Sequence, residues 1–193
     1  MRSASRFLVV AAIAIVAALL LDSWVWTHVA DPAVYDHGLG RMLRTMGFLP
    51  FWLAAAVALW LANGGRRSAL LLALVPTVGG AIDEVLKLLI RRERPGLHHG
   101  AYVFRSFSDR PMSSTDFGLP SSEAVVAFSA AWILCRLYPR AWPVWLALAA
   151  GCAITRLLAQ AHFLSDVTVG AVVGYAIAAV AWRQWQEVRP VAR

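Results

Sequence analysis

Two ionisable side chains near the C-terminal end have the spacing of a reactive pair. His162 and Asp166 lie four residues apart, so they are neighbours if the helix is continuous there. A carboxylate bonded to one imidazole nitrogen fixes the tautomer and leaves the other nitrogen free as a base or a nucleophile. Arg156 precedes the histidine by six residues and adds a cation. A lone buried histidine is usually structural, but this combination favours a reactive site.

A second cluster of charge lies at the end of a long apolar stretch. Lys87 and Arg94 are seven residues apart, about two helical turns, so both can face one side, and Pro95 biases Arg94 away from helical geometry. Two converging cations can clamp an oxyanion, with arginine as a bidentate fork and lysine as a point charge. The alternative is a basic anchor at the lipid headgroups, paired with Asp83 or Glu84 one turn back.

A third polar cluster marks the start of another predicted helix. Ser121, Ser122 and Glu123 follow Pro120 directly. Free backbone N–H groups and hydroxyls at a helix N-terminus form a site suited to anions. The alternative is ordinary capping, with the proline and first serine starting the helix and the glutamate favouring its positive end.

The elements that carry these clusters are predicted to be transmembrane helices. The chain has 193 residues, 60% of them hydrophobic, and a mean hydropathy of +0.62. A bilayer core of about 30 Å takes about 20 helical residues. We therefore predict an all-α integral membrane protein, a bundle of six transmembrane helices forming one domain over residues 1–193. The predicted spans are roughly Phe7–Val29, Phe48–Asn63, Ala69–Ile90, Ser121–Leu137, Trp142–Leu158 and Leu164–Trp182.

The connections predict an orientation, because Lys and Arg in short loops collect on the cytoplasmic side. Both chain ends are expected in the cytoplasm, which places all three polar clusters outside. The segment of about residues 30–47 is too polar to span and predicts a short amphipathic helix at the interface. The segment of about residues 91–120 is the longest outer loop.

The net charge of +7 indicates anionic membrane lipid as a partner. The basic residues lie in short loops and at span ends, and no nucleic-acid-binding module is recognisable, so nucleic acid is not expected. Cys135 and Cys152 lack the spacing of metal ligands and are interpreted as core residues. The sequence indicates no oligomeric state.

The three clusters together resemble the signature motifs of a known family. Lys87 to Pro95 matches K-x6-RP, Pro120 to Glu123 resembles PSGH, and Thr155 to Asp166 resembles SR-x5-H-x3-D. In this order they resemble the type-2 phosphatidic acid phosphatase superfamily of membrane lipid phosphatases. The resemblance covers nearly the whole chain, including the outline of six spans.

The resemblance implies a phosphatase that needs no metal or other cofactor and acts at the outer membrane surface. His162 would be the nucleophile that takes the phosphoryl group, and Asp166 would orient it. The phosphate oxygens would be held by Lys87, Arg94, Ser121, Ser122 and Arg156. Positioning and charge stabilisation of this kind are what phosphoryl transfer chiefly requires.

Two positions depart from the family pattern. Thr155 replaces a serine but keeps the hydroxyl. Glu123 stands where the family has the histidine that protonates the leaving group, and we expect Glu123 to act as that acid. Three alternatives stay open: His98 or His99 supplies the proton, the leaving group is already acidic, or activity is largely lost.

We therefore predict a lipid phosphatase of a bacterial-type inner membrane, active on the periplasmic or extracellular side. The expected substrates are undecaprenyl pyrophosphate first, then phosphatidylglycerol phosphate, phosphatidic acid or a lipid A phosphate. The alternatives are a lipid phosphotransferase or weakly active relative, a small membrane transporter, and a non-catalytic membrane partner.

Overall fold

The computed structural model describes residues 2–63 and 65–187 and is 74% helical. Over this range it contains no strand, only two isolated bridges. Met1 and residues 188–193, to which the predictions for the chain ends also refer, lie outside the described residues. The seven α-helices are α1 (Arg2–His28), α2 (Gly38–Thr45), α3 (Leu49–Asn63), α4 (Arg66–Ile90), α5 (Ser122–Leu137), α6 (Trp142–Leu158) and α7 (Leu164–Glu187). Single 3-10 turns follow α4 and α5 at Pro95–Leu97 and Pro139–Ala141.

Several of these helices are long and apolar enough to cross a membrane. Four qualify individually: Ser5–His28, Arg66–Ile90, Pro139–Leu158 and Leu164–Gln186. The α2–α3 pair, bent by 69°, gives a fifth if it forms one broken span. The chain is thus a multi-pass, all-helical membrane protein. The short helix predicted between residues 30 and 47 is confirmed as α2.

The remaining helix, α5, is the centre of the bundle and packs against α4, α6 and α7. Its 16 residues give a length of about 24 Å, which is short for a span. Ala124, Ala127, Ala130 and Ala131 on it are fully buried. Small side chains let neighbouring helix backbones approach closely, so α5 is enclosed by its neighbours.

Two glycines on α7 set its contact with α5. A Cβ at Gly174 would lie 2.5 Å from the carbonyl oxygen of Val125, and one at Gly170 would lie 2.8 Å from that of Ser121. No larger residue fits at these positions without moving the backbones apart. The start of α5, which carries the second predicted cluster, is therefore held against the second and third turns of α7.

The long loop of residues 91–120, predicted to lie outside, is built around Arg91, which is 1% exposed and caps α4 in the left-handed conformation with φ 61°. Its guanidinium donates to four loop carbonyls, those of Arg105, Ser106, Asp109 and Pro111. A buried cation satisfied by carbonyls in this way fixes the loop over the bundle end. The loop is consequently a folded cover with no regular secondary structure beyond one 3-10 turn.

Glu93 supplies a second anchor in this loop. It accepts from Arg105 Nε at 2.6 Å and from His98 Nε2. Burial alone would raise the pKa of Glu93, but the hydrogen bonds from His98 and Arg105 outweigh burial and lower the pKa below its ordinary value. Glu93 is therefore held in its ionised form at neutral pH.

Candidate active site

The structure brings the predicted site residues together at one end of the bundle, where α4 and α6 end and α5 and α7 begin. A cavity of about 830 Å³ opens there between α2, the end of α4 and the outer loop. Four of the predicted residues line it: Lys87, Arg94, Ser122 and Glu123.

Lys87 lines the cavity and is also paired one turn back on its own helix. Its Nζ lies 3.0 Å from Asp83 Oδ2 and 3.4 Å from Glu84 Oε1, and it donates to the Ser122 hydroxyl. That hydroxyl in turn donates to Asp83 Oδ2 at 2.6 Å. The pairing with Asp83 and Glu84 that the sequence offered is present, and it fixes the ammonium group at the cavity wall. Binding of an oxyanion by Lys87 stays a prediction.

Arg94 reaches the cavity by a different route from the predicted one. The helix α4 ends at Ile90, four residues earlier, because Arg91 leaves helical geometry. The Arg94 backbone N–H instead donates to Asp116 O at 2.8 Å, which ties it to the outer loop. Its buried Nε has no hydrogen-bond partner among the described residues.

The imidazole of His162 is fully buried, and its two nitrogens face different groups. Nδ1 lies 2.9 Å from Gly118 O and 3.5 Å from Asp166 Oδ2. Nε2 lies 3.5 Å from Glu123 Oε2 and forms no hydrogen bond within the described part of the chain. A neutral ring that donates from Nδ1 to the Gly118 carbonyl carries its lone pair on Nε2.

The sequence predicted contact between His162 and Asp166 on the condition that one continuous helix carries both, and that condition is wrong. The helix is interrupted, since α6 ends at Leu158 and α7 begins at Leu164, so His162 lies in the connection. The two side chains nevertheless approach, because Asp166 belongs to the first turn of α7 and its Oδ2 accepts from Phe163 N–H at 2.8 Å. This is half of a capping box, and it orients the carboxylate back toward the connection.

Glu123 lies between the cavity and the buried histidine. Its Oε1 is 3.1 Å from Arg156 NH2, and its Oε2 is the oxygen that approaches His162. Glu123 is 20% exposed and lines the cavity, whereas the side chains of the arginine and the histidine are 5% and 0% exposed. The Glu123 carboxylate therefore lies between Arg156 and His162, in the position that a bound anion would take if it displaced the carboxylate.

Ser121 and Ser122 have separate positions although they are adjacent. Ser122 lines the cavity, while Ser121 is fully buried and its hydroxyl has no hydrogen-bond partner within residues 2–63 and 65–187. The backbone N–H of Ser121 donates to Asp166 O at 3.1 Å. Ser121 thus joins the start of α5 to the start of α7.

Comparison with known proteins was made against family models, curated proteins and solved structures. A model of the PAP2 superfamily matches residues 68–190. The chain belongs to the PAP2 superfamily. The matched range contains all three clusters and the long loop of residues 91–120, whereas α1, α2 and α3 precede it. None of the curated proteins compared matches the chain.

A solved structure shares the PAP2 fold with this chain. It is described as the first transmembrane PAP2-type phosphatidylglycerolphosphate phosphatase from Bacillus subtilis. The two chains are 17% identical, with a TM-score of 0.71, and the match covers 99% of this chain and 100% of the other. At this identity the likeness concerns the fold.

Sequence reasoning missed a cation on the inner side of this PAP2 site. Arg92 is 2% exposed and pairs with Asp166 Oδ1, and its NH2 also donates to Ser165 Oγ at 2.7 Å. It lies between Lys87 and Arg94 in the first motif, where its position gave no separate signal.

A buried acid on α1 extends this network. Asp22 is 1% exposed, and its Oδ1 accepts from Ser165 N–H at 2.7 Å, while its Oδ2 accepts from the Ser165 hydroxyl and from Tyr102 OH at 2.6 Å. Burial and the Asp22 carboxylate raise the pKa of Tyr102, which keeps its hydroxyl a donor. Asp22 gave a usable signal, because a lone acid in an apolar span is costly without a function or a partner.

The remaining predictions for the site concern the two loop histidines and metal. The residues that line the cavity include neither His98 nor His99, and His98 is bonded to Glu93. Over the described ranges, no group of three or more His, Cys, Asp or Glu side chains could hold a metal ion. The metal-independent reaction stays a prediction.

Proposed function

We propose that this PAP2 protein is a lipid phosphatase that removes the terminal phosphate of a lipid phosphate or pyrophosphate. One observation carries the proposal: Glu123, which lines the cavity, also approaches Arg156 and Nε2 of His162. Lys87 and Arg94 line the same cavity. These are cations, a nucleophile and an anion-sized position in one place. A phosphate that displaced the carboxylate would contact both the arginine and Nε2.

The proposed reaction starts with the Nε2 lone pair of His162. Nε2 attacks phosphorus, forming an N–P bond while the bond from phosphorus to the leaving oxygen breaks and its electron pair stays on that oxygen. Lys87, Arg94 and Arg156 offset the charge on the phosphoryl oxygens. Water then attacks the phosphohistidine, releases orthophosphate and returns the free imidazole.

The proposed role of Asp166 is to support the imidazole in both steps. Its Oδ2 approaches Nδ1, and together with the Gly118 carbonyl it faces the nitrogen that carries the proton. As the N–P bond forms, the ring becomes cationic, and a carboxylate 3.5 Å away stabilises that charge.

The proposed role of Glu123 is that of the general acid, and it requires a change from the ligand-free arrangement. A carboxylate paired with Arg156 has no proton to donate. When phosphate takes over the arginine, the carboxylate is released, takes up a proton from solvent in the cavity and passes that proton to the leaving oxygen. The substrate phosphate thus replaces the Glu123 carboxylate as the partner of Arg156.

We further propose six transmembrane spans, with α3 as the second span after the interfacial α2 and the short central α5 as the fourth. Both chain ends would then be cytoplasmic, in a bacterial-type inner membrane, with the site on the periplasmic or extracellular face. Entry of the headgroup from that face would leave the lipid tails between the helices. Undecaprenyl pyrophosphate is the first candidate substrate, followed by phosphatidylglycerol phosphate, phosphatidic acid and a lipid A phosphate.

The test is phosphate release by the purified full chain in detergent with a chelator present. Wild type, His162→Ala and His28→Ala are compared across a panel of lipid phosphates and pyrophosphates. His28 is an exposed histidine on α1 and serves as the control. We expect release by wild type and the control and none by His162→Ala. Absence of release from every lipid over the pH range would contradict the hydrolase and favour the transferase or a non-catalytic role.

A further inference from the structure

A second group of cations faces the same cavity from α2. Arg41 and Arg44 are three residues apart on this helix, so they share a face, and both line the cavity with Lys87 and Arg94. Both are exposed, and within the described part of the chain neither forms an ion pair through its side chain. Their charges are therefore available to a ligand.

An aromatic ring joins one of these arginines to the buried part of the site. The Arg44 guanidinium carbon lies 4.8 Å from the centroid of the Tyr35 ring, and that of Arg156 lies 6.0 Å from the same centroid. Arg156 also donates to the Tyr35 hydroxyl at 2.9 Å, and that hydroxyl donates to Thr155 O at 3.2 Å. Both arginines therefore contact one ring, which α6 holds in place through Thr155 and Arg156.

We propose that Arg44, assisted by Arg41, binds a second phosphate group next to the one held by Arg156. The preferred substrates are then lipids whose headgroup carries two phosphates, a diphosphate being the most compact. This inference rests on the proposed function and narrows its substrate class. A single phosphate at Arg156 would take the place of Glu123 there. It would leave the charges of Arg41 and Arg44 without an anionic partner among the described residues.

The same arrangement addresses the missing motif histidine. With a diphosphate, the terminal phosphorus forms a bond to His162 Nε2 while its bond to the bridging oxygen breaks. The electron pair stays on that oxygen, which becomes part of the lipid monophosphate that leaves. Arg44 lies on the side of this departing group and stabilises its new charge, so the reaction depends less on a proton from Glu123.

The test compares two substrates with the same tail, a polyprenyl diphosphate and a polyprenyl monophosphate. Initial rates of phosphate release are measured for the wild-type full chain, Arg44→Gln and Arg110→Gln in detergent. Arg110 is an exposed arginine of the outer loop that does not line the cavity, and it serves as the matched control. We expect Arg44→Gln to reduce the ratio of kcat/KM for diphosphate over monophosphate about tenfold or more, the size of one lost charged hydrogen bond. We expect the control to leave the ratio unchanged.

A binding measurement separates failure of this inference from failure of the proposed function. The same three proteins are titrated with inorganic pyrophosphate and with orthophosphate. Tighter binding of pyrophosphate by wild type, reduced in Arg44→Gln, would support the second site even if no lipid is hydrolysed. Equal binding of the two anions by wild type, or an unchanged ratio of kcat/KM in Arg44→Gln, would overturn it. If free pyrophosphate binds but the two lipids are hydrolysed equally, the lipid diphosphate is refuted as the preferred substrate.

Discussion

Replacing Asp22 by asparagine tests whether the buried hydrogen-bond network that starts on α1 holds the proposed catalytic pair, His162 and Asp166, in position. The network runs from Asp22 through Ser165 and Arg92 to Asp166, which approaches His162. The substitution keeps the volume of the side chain and removes its charge. It therefore changes hydrogen bonding without creating a cavity.

The magnitude follows from the donors that surround the carboxylate. Asp22 accepts from Ser165 N–H through Oδ1 and from two hydroxyls through Oδ2. An amide presents one acceptor and one NH2, so either orientation opposes the NH2 to at least one donor. The better orientation loses one hydrogen bond to a charged group, worth about 1.5–3 kcal/mol of unfolding free energy.

The effect on catalysis follows from the displacement of Ser165. If Ser165 moves, Arg92 loses a partner and Asp166 loses its fixed position, and a misplacement of about 1 Å at a reacting group costs about 100-fold in rate. We expect kcat of Asp22→Asn to fall between about 10-fold and 100-fold. KM should change little, because the cavity residues are not part of this network.

The assay is phosphate release together with thermal unfolding in detergent, with Asp36→Asn as the control. Asp36 is exposed and lies outside the network. Tyr102→Phe removes one of the donors to Asp22 and should give a smaller loss in the same direction. Unchanged kcat in Asp22→Asn, measured well below its unfolding temperature, would refute the positioning argument and leave Asp22 a stabilising residue only.

Four further outcomes are expected. Glu123→Gln should lower turnover of a lipid monophosphate by about 100-fold or more if the carboxyl is the general acid, and full turnover would exclude that role. Lys87→Met leaves Asp83 buried without its cation and should cost about 3–5 kcal/mol of unfolding free energy, with a raised KM for phosphate lipids; a stability equal to wild type would contradict the buried ion pair. Gly174→Leu should prevent close packing of α7 on α5 and cost about 1–3 kcal/mol or more in a denaturation series, whereas an unchanged midpoint would show that the backbones are not in contact. Because the pKa of Glu93 is lowered in the folded state, its contribution to stability is complete above the unfolded pKa of about 4.3 and is lost as pH falls through the folded value. The difference in unfolding temperature between wild type and Glu93→Gln should therefore be present at pH 7 and vanish at more acidic pH. A difference that persists at a pH well below the folded pKa would contradict this assignment of the lowered pKa to Glu93.

The helices were predictable because strong local signals bound each apolar run. The predicted spans Trp142–Leu158 and Leu164–Trp182 begin at the residues where α6 and α7 begin, and α3, α4 and α5 start within three residues of prediction. Proline, serine and charged residues at these boundaries end a hydrophobic pattern sharply. The short α5 is the exception in membrane terms, since its burial among other helices depends on tertiary packing that no local pattern reveals.

The predicted site residues were found through spacing within motifs, and the residues that join the motifs were not. Asp22 contacts Ser165 across 143 positions, and Tyr35 contacts Arg156 across 121. Such contacts depend on how helices meet in three dimensions and leave no periodicity in the chain. Of these residues only Asp22 gave a signal in the sequence, because it is a lone acid in an apolar span and such an acid needs a partner or a function.

The connection between α2 and α3 affects which lipid headgroups would fit the proposed site. A Cβ at Gly47 would lie 2.5 Å from the Cβ of Glu123, so the α2–α3 bend rests directly on the first turn of α5. The arginines of α2 are consequently tied through this contact to the helix that carries Glu123. At the proposed second phosphate site, this packing would set the distance from Arg156, so lipids would be selected by the length of the headgroup as well as by its charge.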